Sequence, residues 1–337
     1  MGLTVNEKFE LIKRNTQEIV KEEELKKLLK EKKNPVVYWG TAPTAKPSIA
    51  YLFPLRKLSD FAKAGFKIKV LLADLHGALD GTPWNVLERR YDYYKEAITQ
   101  IFKILGTDLK KIEFIKGSEV QLKPEYSYDV LKLASMNSVN ECKRAAAEVV
   151  KFGDNPKTGG LIYPIMQSLD EQYLGVDVQF AGLDQRKIMM FARENLPKIG
   201  YNRRIEIMVP MIPGLVGKKM SSSDAKSKID LTDNEKVVQE KINKADCVSG
   251  NPDNGVMAFL KYVIMVIKQD KKEQFIIERP DKYGGNINYV DYESVEKDFV
   301  SKKLHPLDLK NAVSKEISNL LNKIDTKKLN ELGKKAY

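Results

Sequence analysis

Short apolar runs alternate with longer amphipathic segments between residues 36 and 209 of this 337-residue chain, and this pattern restricts the fold more than any other feature. The short runs have the length of buried strands. The longer segments carry apolar residues at every third or fourth position, which is typical of helices that pack on one side. Because strands joined through helices run in the same direction, the pattern predicts an α/β chain with a doubly wound parallel sheet.

We predict five strands in this alternation, with helices between them. The strands are expected at 36–39, 68–73, 111–115, 176–181 and 205–209. The main helices between them are expected at 47–65, 84–105 and 185–196. A charged amphipathic helix over residues 4–33 precedes the first strand and ends at Asn34 and Pro35, since proline cannot continue a helix.

The alternation ends near residue 232, where the chain changes character. Lysine-rich helical patterns replace it, for example at 256–267 and 309–321. We therefore expect a Rossmann-like sheet domain followed by a second, mainly helical domain. We expect three parts in all. They are an N-terminal helical extension at 1–34, the sheet domain at 35–232 and a mainly helical domain at 233–337.

Composition excludes several classes of protein. With 42% hydrophobic and 31% charged residues, the chain is globular rather than disordered. The two cysteines, Cys142 and Cys247, and the two histidines, His76 and His305, are too far apart in sequence to form a zinc site from neighbours, so no protein-bound metal is expected. No window approaches the roughly 20 apolar residues of a membrane span, which favours a cytoplasmic protein with no membrane partner.

The net charge of +11 has two interpretations, which charge alone leaves open. Lysine and arginine release the counterions of nucleic-acid phosphates on binding, so the charge is compatible with a nucleic-acid partner. A lysine-rich surface that is simply solvated explains the same value.

In a doubly wound sheet the ligand site lies beyond the carboxyl ends of the strands. The connections expected there are 40–44, 74–83, 182–185 and 213–223. Neither common phosphate motif, G-x-G-x-x-G after the first strand or G-x-x-x-x-G-K-[ST], occurs. Instead, GKKMSSS at 217–223 offers the Lys219 ammonium and the hydroxyls of Ser221 and Ser222 to an anionic leaving group such as the pyrophosphate of ATP. A solvated loop is the alternative interpretation of this string.

Six short motifs follow one another along the chain. They are YWGTAPT at 38–44, ADLH at 73–76, YPIMQ at 163–167, GLDQRK at 182–187, KMSSS at 219–223 and HPLDLKN at 305–311. Together they resemble the tyrosyl-tRNA synthetases of the archaeal and eukaryotic type, which are class I aminoacyl-tRNA synthetases. The resemblance implies a ligase of protein biosynthesis that activates L-tyrosine with ATP to tyrosyl-adenylate, releasing pyrophosphate. It then transfers tyrosine to the terminal ribose hydroxyl of tRNA(Tyr).

By this resemblance, one set of residues binds tyrosine: Tyr38, Tyr163, Gln167, Asp170, Gln185 and, as a secondary candidate, His76. Tyr38 and Asp170 would hydrogen-bond the phenol hydroxyl, which phenylalanine lacks. Tyr163, Gln167 and Gln185 would hold the α-amino group. Independently of the resemblance, Tyr163, Gln167 and Asp170 are spaced i, i+4 and i+7, which predicts one face of a helix. Taken singly, each of these residues is also compatible with an ordinary core or surface position.

The resemblance assigns a second set to ATP, whose phosphates carry Mg²⁺: Gly40, Thr44, Gly182, Asp184, Lys219, Met220 and Ser222. The catalytic candidates are Lys219, Ser221, Ser222 and Ser48. The family's HIGH motif falls on SIAY at 48–51, so Ser48 replaces a histidine that helps the phosphates reach the transition state. We expect slower activation, or compensation by the charge of Lys46, Lys218 or Lys219.

The resemblance further assigns contacts with tRNA. Those with the anticodon are Tyr283, His305 and Asp308, and those with the acceptor stem are Lys143, Arg144, Arg186 and Lys187. An aromatic face suits base stacking and a carboxylate suits a guanine edge, but a packing tyrosine and a helix-capping aspartate explain Tyr283 and Asp308 as well. Relatives form a two-fold dimer through the insertion at about 121–163, so a homodimer is expected.

Two other functions remain open from the sequence. A tryptophanyl-tRNA synthetase shares the expected architecture, although Tyr38 with Asp170 favours a phenol over an indole. A protein that binds tRNA or the adenylate without activating amino acid would explain the missing histidine at Ser48. The KMSSS string at 219–223 argues against that function, because a binding protein has no evident need to stabilise pyrophosphate.

Overall fold

The computed structural model describes residues 2–215 and 228–337. The elements of its N-terminal segment are α1 (Val5–Lys13), the short strand β1 (Glu18–Ile19) and α2 (Glu22–Glu31). The single helix expected over 4–33 is therefore wrong. Asn15 and Lys21 adopt left-handed backbone conformations, with φ of 57° and 58°, and interrupt the helix on either side of β1.

Within residues 2–215, five parallel strands form the central sheet. They are β2 (Val36–Thr41), β3 (Lys67–Leu72), β4 (Ile112–Lys116), β5 (Val178–Gly182) and β6 (Ile205–Val209). The sheet order is β1-β6-β5-β2-β3-β4, in which β1 alone is antiparallel to its neighbour. The α/β fold and the five strands are confirmed, with an edge strand that sequence reasoning missed. The winding reverses between β2 and β5, which makes this point the expected ligand site.

Eight helices of residues 52–195 pack on the faces of the sheet or on one another. They are α3 (Leu52–Lys63), α4 (Asp74–Leu79), α5 (Trp84–Ile104), α6 (Gly117–Gln121), α7 (Pro124–Met136), α8 (Val139–Ala146), α9 (Gly159–Tyr173) and α10 (Arg186–Asn195). Successive strand residues point to opposite faces. Val37 and Trp39 of β2 join the large core with Phe61 of α3, whereas Tyr38 packs in a separate cluster with Leu71. Tyr38 therefore faces away from the large core.

The C-terminal part is mainly helical, as expected, but contains a hairpin. Its elements are α11 (Glu235–Lys244), α12 (Gly255–Phe259), α13 (Met265–Lys271), β7 (Phe275–Ile277), β8 (Ile287–Tyr289), α14 (Tyr292–Val300), α15 (Pro306–Leu321) and α16 (Thr326–Ala336). One π-helical turn, Leu260–Ile264, joins α12 to α13, so the helix predicted over 256–267 is continuous. Strands of three residues are too short to produce an alternating pattern, which explains why the hairpin was missed. The division at residue 232 remains a prediction.

A group of charged side chains joins the N-terminal segment and α3 to α13. Asp270 of α13 accepts hydrogen bonds of 2.8 Å from Arg14, 2.7 Å from Arg56 and 2.6 Å from Lys63. Burial by itself raises the pKa of Asp270, but the hydrogen bonds and charges of these partners outweigh burial and lower it to about 2. The carboxylate thus links the C-terminal part to α3 and to the N-terminal segment.

Candidate active site

A cavity of about 390 Å³ opens beyond the carboxyl ends of β2 and β5, at the switch point of the sheet. The described residues that were expected to bind tyrosine or ATP line it together with the catalytic candidate Ser48: Tyr38, Gly40, Thr44, His76, Tyr163, Gln167, Asp170, Gly182, Asp184 and Gln185. The segment 74–83 contributes to the wall, although it begins as helix α4 instead of the expected loop. Lys219, Met220, Ser221 and Ser222 lie outside the described residues.

Helix α9 supplies one wall of the cavity. Tyr163, Gln167 and Asp170 all line it, which confirms the single helical face predicted from their spacing. Gln167 Nε2 donates a 3.1 Å hydrogen bond to Gln185 Oε1, from the turn that precedes α10. The side-chain Oε1 of Gln167 can therefore accept a hydrogen bond from a donor other than Gln185.

Asp170 is the buried acid of the site, with only 1% of its surface exposed. Its Oδ1 accepts 2.8 Å hydrogen bonds from Gln121 Nε2 and from the Tyr126 hydroxyl. Burial raises the pKa of Asp170 to about 7, and these two hydrogen bonds oppose the rise. Protein donors thus fix one carboxyl oxygen of a group that lines the cavity.

Tyr38 supplies a hydroxyl group to the same cavity. The hydroxyl oxygen accepts a 2.8 Å hydrogen bond from Gln179 Nε2 of β5. Burial, and then the neighbouring Asp170, raise the pKa of Tyr38 well above its ordinary value, so the hydroxyl keeps its proton. Because Tyr38 accepts from Gln179, its own proton is available to an acceptor in the cavity.

Sequence reasoning missed Gln121, Tyr126 and Gln179. Gln121 and Tyr126 come from the segment that was assigned to dimer formation, and no local spacing connects that segment with the cavity. Gln179 carried a signal: an amide inside an apolar strand must find a buried hydrogen-bond partner.

His76 lies in the wall formed by α4 and is 2% exposed. Its Nδ1 is 3.2 Å from Gln121 Nε2, an amide donor, so Nδ1 accepts and Nε2 carries the proton. Burial lowers the pKa of His76 to about 4, which leaves the ring neutral at pH 7. Its edge-on contact with Tyr163, with ring centroids 4.6 Å apart, orients that tyrosine.

Two glycines shape the cavity on the ATP side. At Gly40 an added Cβ would meet Tyr38 Cε2 at 3.6 Å, an ordinary contact, so its absence enlarges the cavity without relieving a clash. At Gly182 an added Cβ would lie 2.6 Å from Asp184 Oδ1. A side chain at Gly182 would therefore displace the Asp184 carboxylate.

A second, apolar cavity of about 230 Å³ adjoins the first and shares Gly182 and Asp184 with it. Phe53, Met211 and Phe259 are among the apolar residues that line it. Sequence reasoning missed this cavity, because its walls come from α3, from the segment after β6 and from α12.

The loop that carries Thr44 is held by α5. Arg90 donates a hydrogen bond to the Thr44 carbonyl oxygen, and the Ala45 N–H donates to the Tyr94 hydroxyl at 3.1 Å. Tyr94 in turn contacts the Tyr51 ring edge-on, with centroids 6.1 Å apart. The loop is thereby fixed at the rim of the cavity.

Ser48 lies at the rim with 6% of its surface exposed. Its side-chain oxygen accepts a long hydrogen bond of 3.4 Å from the Ala50 N–H and caps the turn over Ile49–Tyr51. Lys46 also lines the cavity, and its ammonium lies 3.4 Å from Thr232 Oγ1. Lys46 therefore brings a positive charge to the place where Ser48 brings only a hydroxyl.

Three of the four acceptor-stem candidates meet in a separate cleft of about 270 Å³. Arg144, Arg186 and Lys187 line it, whereas Lys143 lies over the Phe152 ring, 5.9 Å from its centroid. Arg186 pairs with Glu18 at 2.7 Å and Lys187 with Glu148 at 2.8 Å.

The anticodon candidates lie on two elements of the C-terminal part. Tyr283 is 63% exposed in a short turn at Asp281–Tyr283. His305 caps α15, since its Nδ1 accepts a 3.2 Å hydrogen bond from the Leu307 N–H. The capping interpretation of Asp308 is therefore wrong, and this half-buried carboxylate lies within the first turn of α15.

The insertion exposes large apolar side chains on and around α7 and α8. Those at least half exposed are Leu122, Tyr128, Leu131, Met136 and Val139. An apolar surface of this kind is typical of a protein–protein interface.

Two further features concern metals and membranes. In the described ranges no group of three His, Cys, Asp or Glu side chains is arranged to hold a metal ion. Across the same part of the chain, no helix has both the length and the apolar composition needed to cross a bilayer. Cys142 and Cys247 are free thiols, buried and half-buried respectively.

A doubly wound sheet with a polar cavity at its switch point defines a nucleotide-binding type of α/β protein. The six motifs and their positions around the cavity narrow this class. Residues 30–322 match the family of class I tRNA synthetases (W and Y), and the chain belongs to this family.

Several similar proteins within the family are tyrosine enzymes. The chain is 46% identical to the cytoplasmic tyrosine–tRNA ligase of Danio rerio over 342 aligned positions, which cover 99% of this chain and 64% of that relative. It is 45% identical to the Saccharomyces cerevisiae cytoplasmic tyrosine–tRNA ligase, covering 98% of this chain and 88% of that relative. A crystal structure of tyrosyl-tRNA synthetase from Archaeoglobus fulgidus complexed with L-tyrosine matches with a TM-score of 0.89 at 38% identity, covering 97% and 99% of the two chains. The resemblance inferred from the motifs is confirmed.

Proposed function

We propose that this chain acts as a tyrosine–tRNA ligase, which activates L-tyrosine with ATP and transfers it to tRNA(Tyr). The observation that carries the proposal is the cavity lined by both Tyr38 and Asp170, each with only 1% of its surface exposed. The chain spans 64% of the length of its Danio rerio relative. The Archaeoglobus fulgidus protein, which matches over 99% of its own chain, was crystallised with L-tyrosine.

The two buried groups recognise a phenol from both sides. Tyr38 accepts from Gln179 and so donates its proton to the phenol oxygen. The phenol hydroxyl in turn donates a hydrogen bond to the Asp170 carboxylate. Phenylalanine leaves both protein groups without a partner, and an unsatisfied buried polar group costs about 1–3 kcal/mol, more if it is charged.

The amino-acid end of the substrate lies against α9. The oxygens of Gln167 and Gln185 and the Tyr163 hydroxyl accept hydrogen bonds from the α-ammonium group. His76 fixes the Tyr163 ring and remains neutral, so it does not repel the ammonium.

ATP extends across the two adjoining cavities. The apolar cavity beside Gly182 accommodates the adenine ring, and Asp184 accepts from the ribose hydroxyls. Magnesium arrives with the phosphate oxygens of ATP as part of the substrate. Lys219, Ser221 and Ser222 follow β6 in the sequence. They would stabilise the departing pyrophosphate.

Activation requires no protein nucleophile. The tyrosine carboxylate attacks the α-phosphorus, one new phosphorus–oxygen bond forms, and the bond to the β-phosphate oxygen breaks with release of pyrophosphate. The terminal ribose hydroxyl of tRNA then attacks the adenylate carbonyl carbon and AMP leaves. Positioning and charge stabilisation account for catalysis of this kind.

The tRNA contacts are those that the motif resemblance assigns. Arg144, Arg186, Lys187 and Lys143 would bind the acceptor stem, and Tyr283, His305 and Asp308 the anticodon. The exposed apolar residues of α7 and α8 would form the interface of a homodimer.

We place this enzyme in the cytoplasm, as the names of its animal and yeast relatives state for those proteins.

ATP–pyrophosphate exchange with tyrosine, tryptophan and phenylalanine in parallel tests the proposal. Tyrosine-dependent exchange that collapses in Lys219→Ala, followed by charging of tRNA(Tyr), is the expected result. Exchange with tryptophan alone would overturn the assignment of the cavity floor. Binding of tyrosine and ATP without exchange would identify a binding protein and make Ser48 the suspected cause.

A further inference from the structure

A row of three buried polar residues crosses the sheet beneath the cavity. Tyr38 on β2 pairs in register with Gln179 on β5, and Gln179 pairs in register with Glu206 on β6. Residues in register on neighbouring strands share one face of the sheet. The three residues are 1%, 2% and 0% exposed, so bulk solvent does not reach their polar atoms.

Glu171 of α9 is the fourth member of this group. It follows Asp170 directly in sequence and is 0% exposed. Glu206 raises the pKa of Glu171, and both glutamates, together with Asp170, raise the pKa of the Tyr38 hydroxyl. The two glutamates therefore lie within electrostatic reach of each other and of Tyr38.

These groups contain more acceptors than donors. Gln179 Oε1 and both carboxyl oxygens of Glu171 and Glu206 are buried and lack a hydrogen-bond partner in the described part of the chain. Two arginines act on the pair: Arg193 donates to Glu24, and Arg204 donates to Gln172 at 2.7 Å. The buried Arg204 Nε has no partner, so these groups contain one free donor for five free acceptor atoms in the described part of the chain. Ionised carboxylates with no partner are very costly to bury.

Protonation resolves this excess of acceptors. Burial raises the pKa of Glu206 to about 8 and that of Glu171 well above its ordinary value, and the arginines only partly oppose these rises. Each protonated carboxyl group gains an O–H donor, which can serve the second carboxyl group or the oxygen of Gln179.

We propose that Glu171 and Glu206 form a buried protonated carboxyl pair that fixes the amide of Gln179 and thereby directs the Tyr38 proton toward the substrate phenol. The inference rests on the proposed tyrosine activation and adds specificity-determining residues to it. A carboxyl O–H donates to Gln179 Oε1. Gln179 Nε2 must then donate to Tyr38, as observed at 2.8 Å.

The direction of the hydrogen bonds from the glutamates through Gln179 to Tyr38 decides which ligand is recognised. With the amide reversed, Gln179 would accept from Tyr38, whose proton would then point away from the cavity. A phenol oxygen would lose its donor, whereas phenylalanine would lose nothing. Glu171 and Glu206 are thus positioning residues that act through Gln179 and do not touch substrate.

The test compares Glu206→Leu with Glu206→Gln in ATP–pyrophosphate exchange. Loss of one neutral hydrogen bond corresponds to about 0.5–1.5 kcal/mol, so the leucine variant should raise KM for tyrosine by roughly 2- to 12-fold, with kcat and KM for ATP nearly unchanged. The glutamine variant retains an N–H donor and should restore KM. Ile207→Val, a buried change on the opposite face of β6, should lower thermal stability without altering the preference for tyrosine over phenylalanine.

A double-mutant cycle with Tyr38→Phe separates positioning from general destabilisation. In the Tyr38→Phe background, Glu206→Leu should have no further effect on KM for tyrosine, because the hydroxyl that it orients is absent. The same fold-change in both backgrounds would overturn the inference. Absence of tyrosine-dependent exchange in the wild type would instead refute the proposed function.

Infrared spectroscopy provides a test that does not depend on the folding of the leucine variant. The wild type at neutral pH should show a protonated-carboxyl C=O band that shifts in D₂O and weakens in Glu206→Gln. Identical spectra of the wild type and the glutamine variant in this region would overturn the inference, even if both enzymes are active.

Discussion

Gln121, at the end of α6, donates a 2.8 Å hydrogen bond to Asp170 on the floor of the cavity. The same amide contacts His76 Nδ1, so one side chain fixes both the acid and the neighbouring imidazole. Gln121 opens the insertion to which we assign the dimer interface. The insertion therefore contributes to the amino-acid cavity as well as to the proposed contact between subunits.

Asp170→Asn should lower kcat/KM for tyrosine in ATP–pyrophosphate exchange by about 10- to 100-fold. The variant loses a hydrogen bond to a charged group, which corresponds to about 1.5–3 kcal/mol. Asp154→Asn, at an exposed position of the insertion, serves as the matched control and should have no effect. Unchanged tyrosine kinetics in Asp170→Asn would contradict the assignment of the phenol partner.

The pH dependence of activation should also follow Asp170. Burial raises the pKa of this group to about 7, and the phenol donates to its ionised form. In the wild type, kcat/KM for tyrosine should therefore rise with pH through about 7, and this rise should disappear in Asp170→Asn. His76 cannot produce it, because burial lowers the pKa of His76 to about 4.

The same carboxyl group predicts a change in stability with a definite sign. Between about pH 4 and pH 7 the unfolded chain has released the Asp170 proton, while the folded protein retains it. The contribution of Asp170 to the free energy of unfolding should therefore fall as pH rises through this window. Urea unfolding of the wild type and Asp170→Asn over this range measures it, and a contribution that grows with pH would show that the buried acid is ionised.

The sequence predicts those parts of the site that local pattern controls. The i, i+4, i+7 spacing of Tyr163, Gln167 and Asp170 defines a helical face, and the apolar runs define the parallel strands. Gln121 and Tyr126 escaped prediction because their contacts with Asp170 bridge more than forty residues, with |i−j| of 49 and 44.

The errors at the N-terminus and in α15 have local physical causes. Apolar periodicity continues through residues 4–33, but the left-handed backbone at Asn15 and Lys21 breaks the helix. At α15 an imidazole accepts the first N–H, so His305 takes the capping position that aspartate more often occupies.

Asp270→Asn should destabilise the protein at pH 7 by about 1 kcal/mol, a modest value because solvent partly screens the carboxylate. Its pKa of about 2 lies below the ordinary 3.8, so the contribution is complete above about pH 4 and is lost as pH falls toward 2. Urea unfolding at pH 7 and pH 2.5 should show a larger difference at pH 7. Asp253→Asn, at an exposed position, is the control, and an equal loss at both pH values would exclude an ionic contribution.

Arg144→Glu should weaken tRNA charging while leaving ATP–pyrophosphate exchange unchanged. Arg144 lines a separate cleft with Arg186 and Lys187, and none of the three lines the amino-acid cavity. Each lost phosphate contact should reduce the slope of log affinity against log salt by roughly 0.9. Arg89→Glu, on the exposed side of α5, is the charge-matched control. A slope equal to that of the wild type would place the acceptor stem elsewhere.

Ser48→His should increase the rate of tyrosine activation without changing KM for tyrosine. Ser48 lines the cavity, and its oxygen makes only a long 3.4 Å capping hydrogen bond, so replacement loses little there. An imidazole reaches further than a hydroxyl and can donate to the phosphates as charge develops on them. Single-turnover formation of tyrosyl-adenylate measures the effect, with Ser48→Ala to report the loss of the cap alone. A histidine variant no faster than the alanine variant would show that Lys46, whose ammonium lies at the same rim, already supplies the charge.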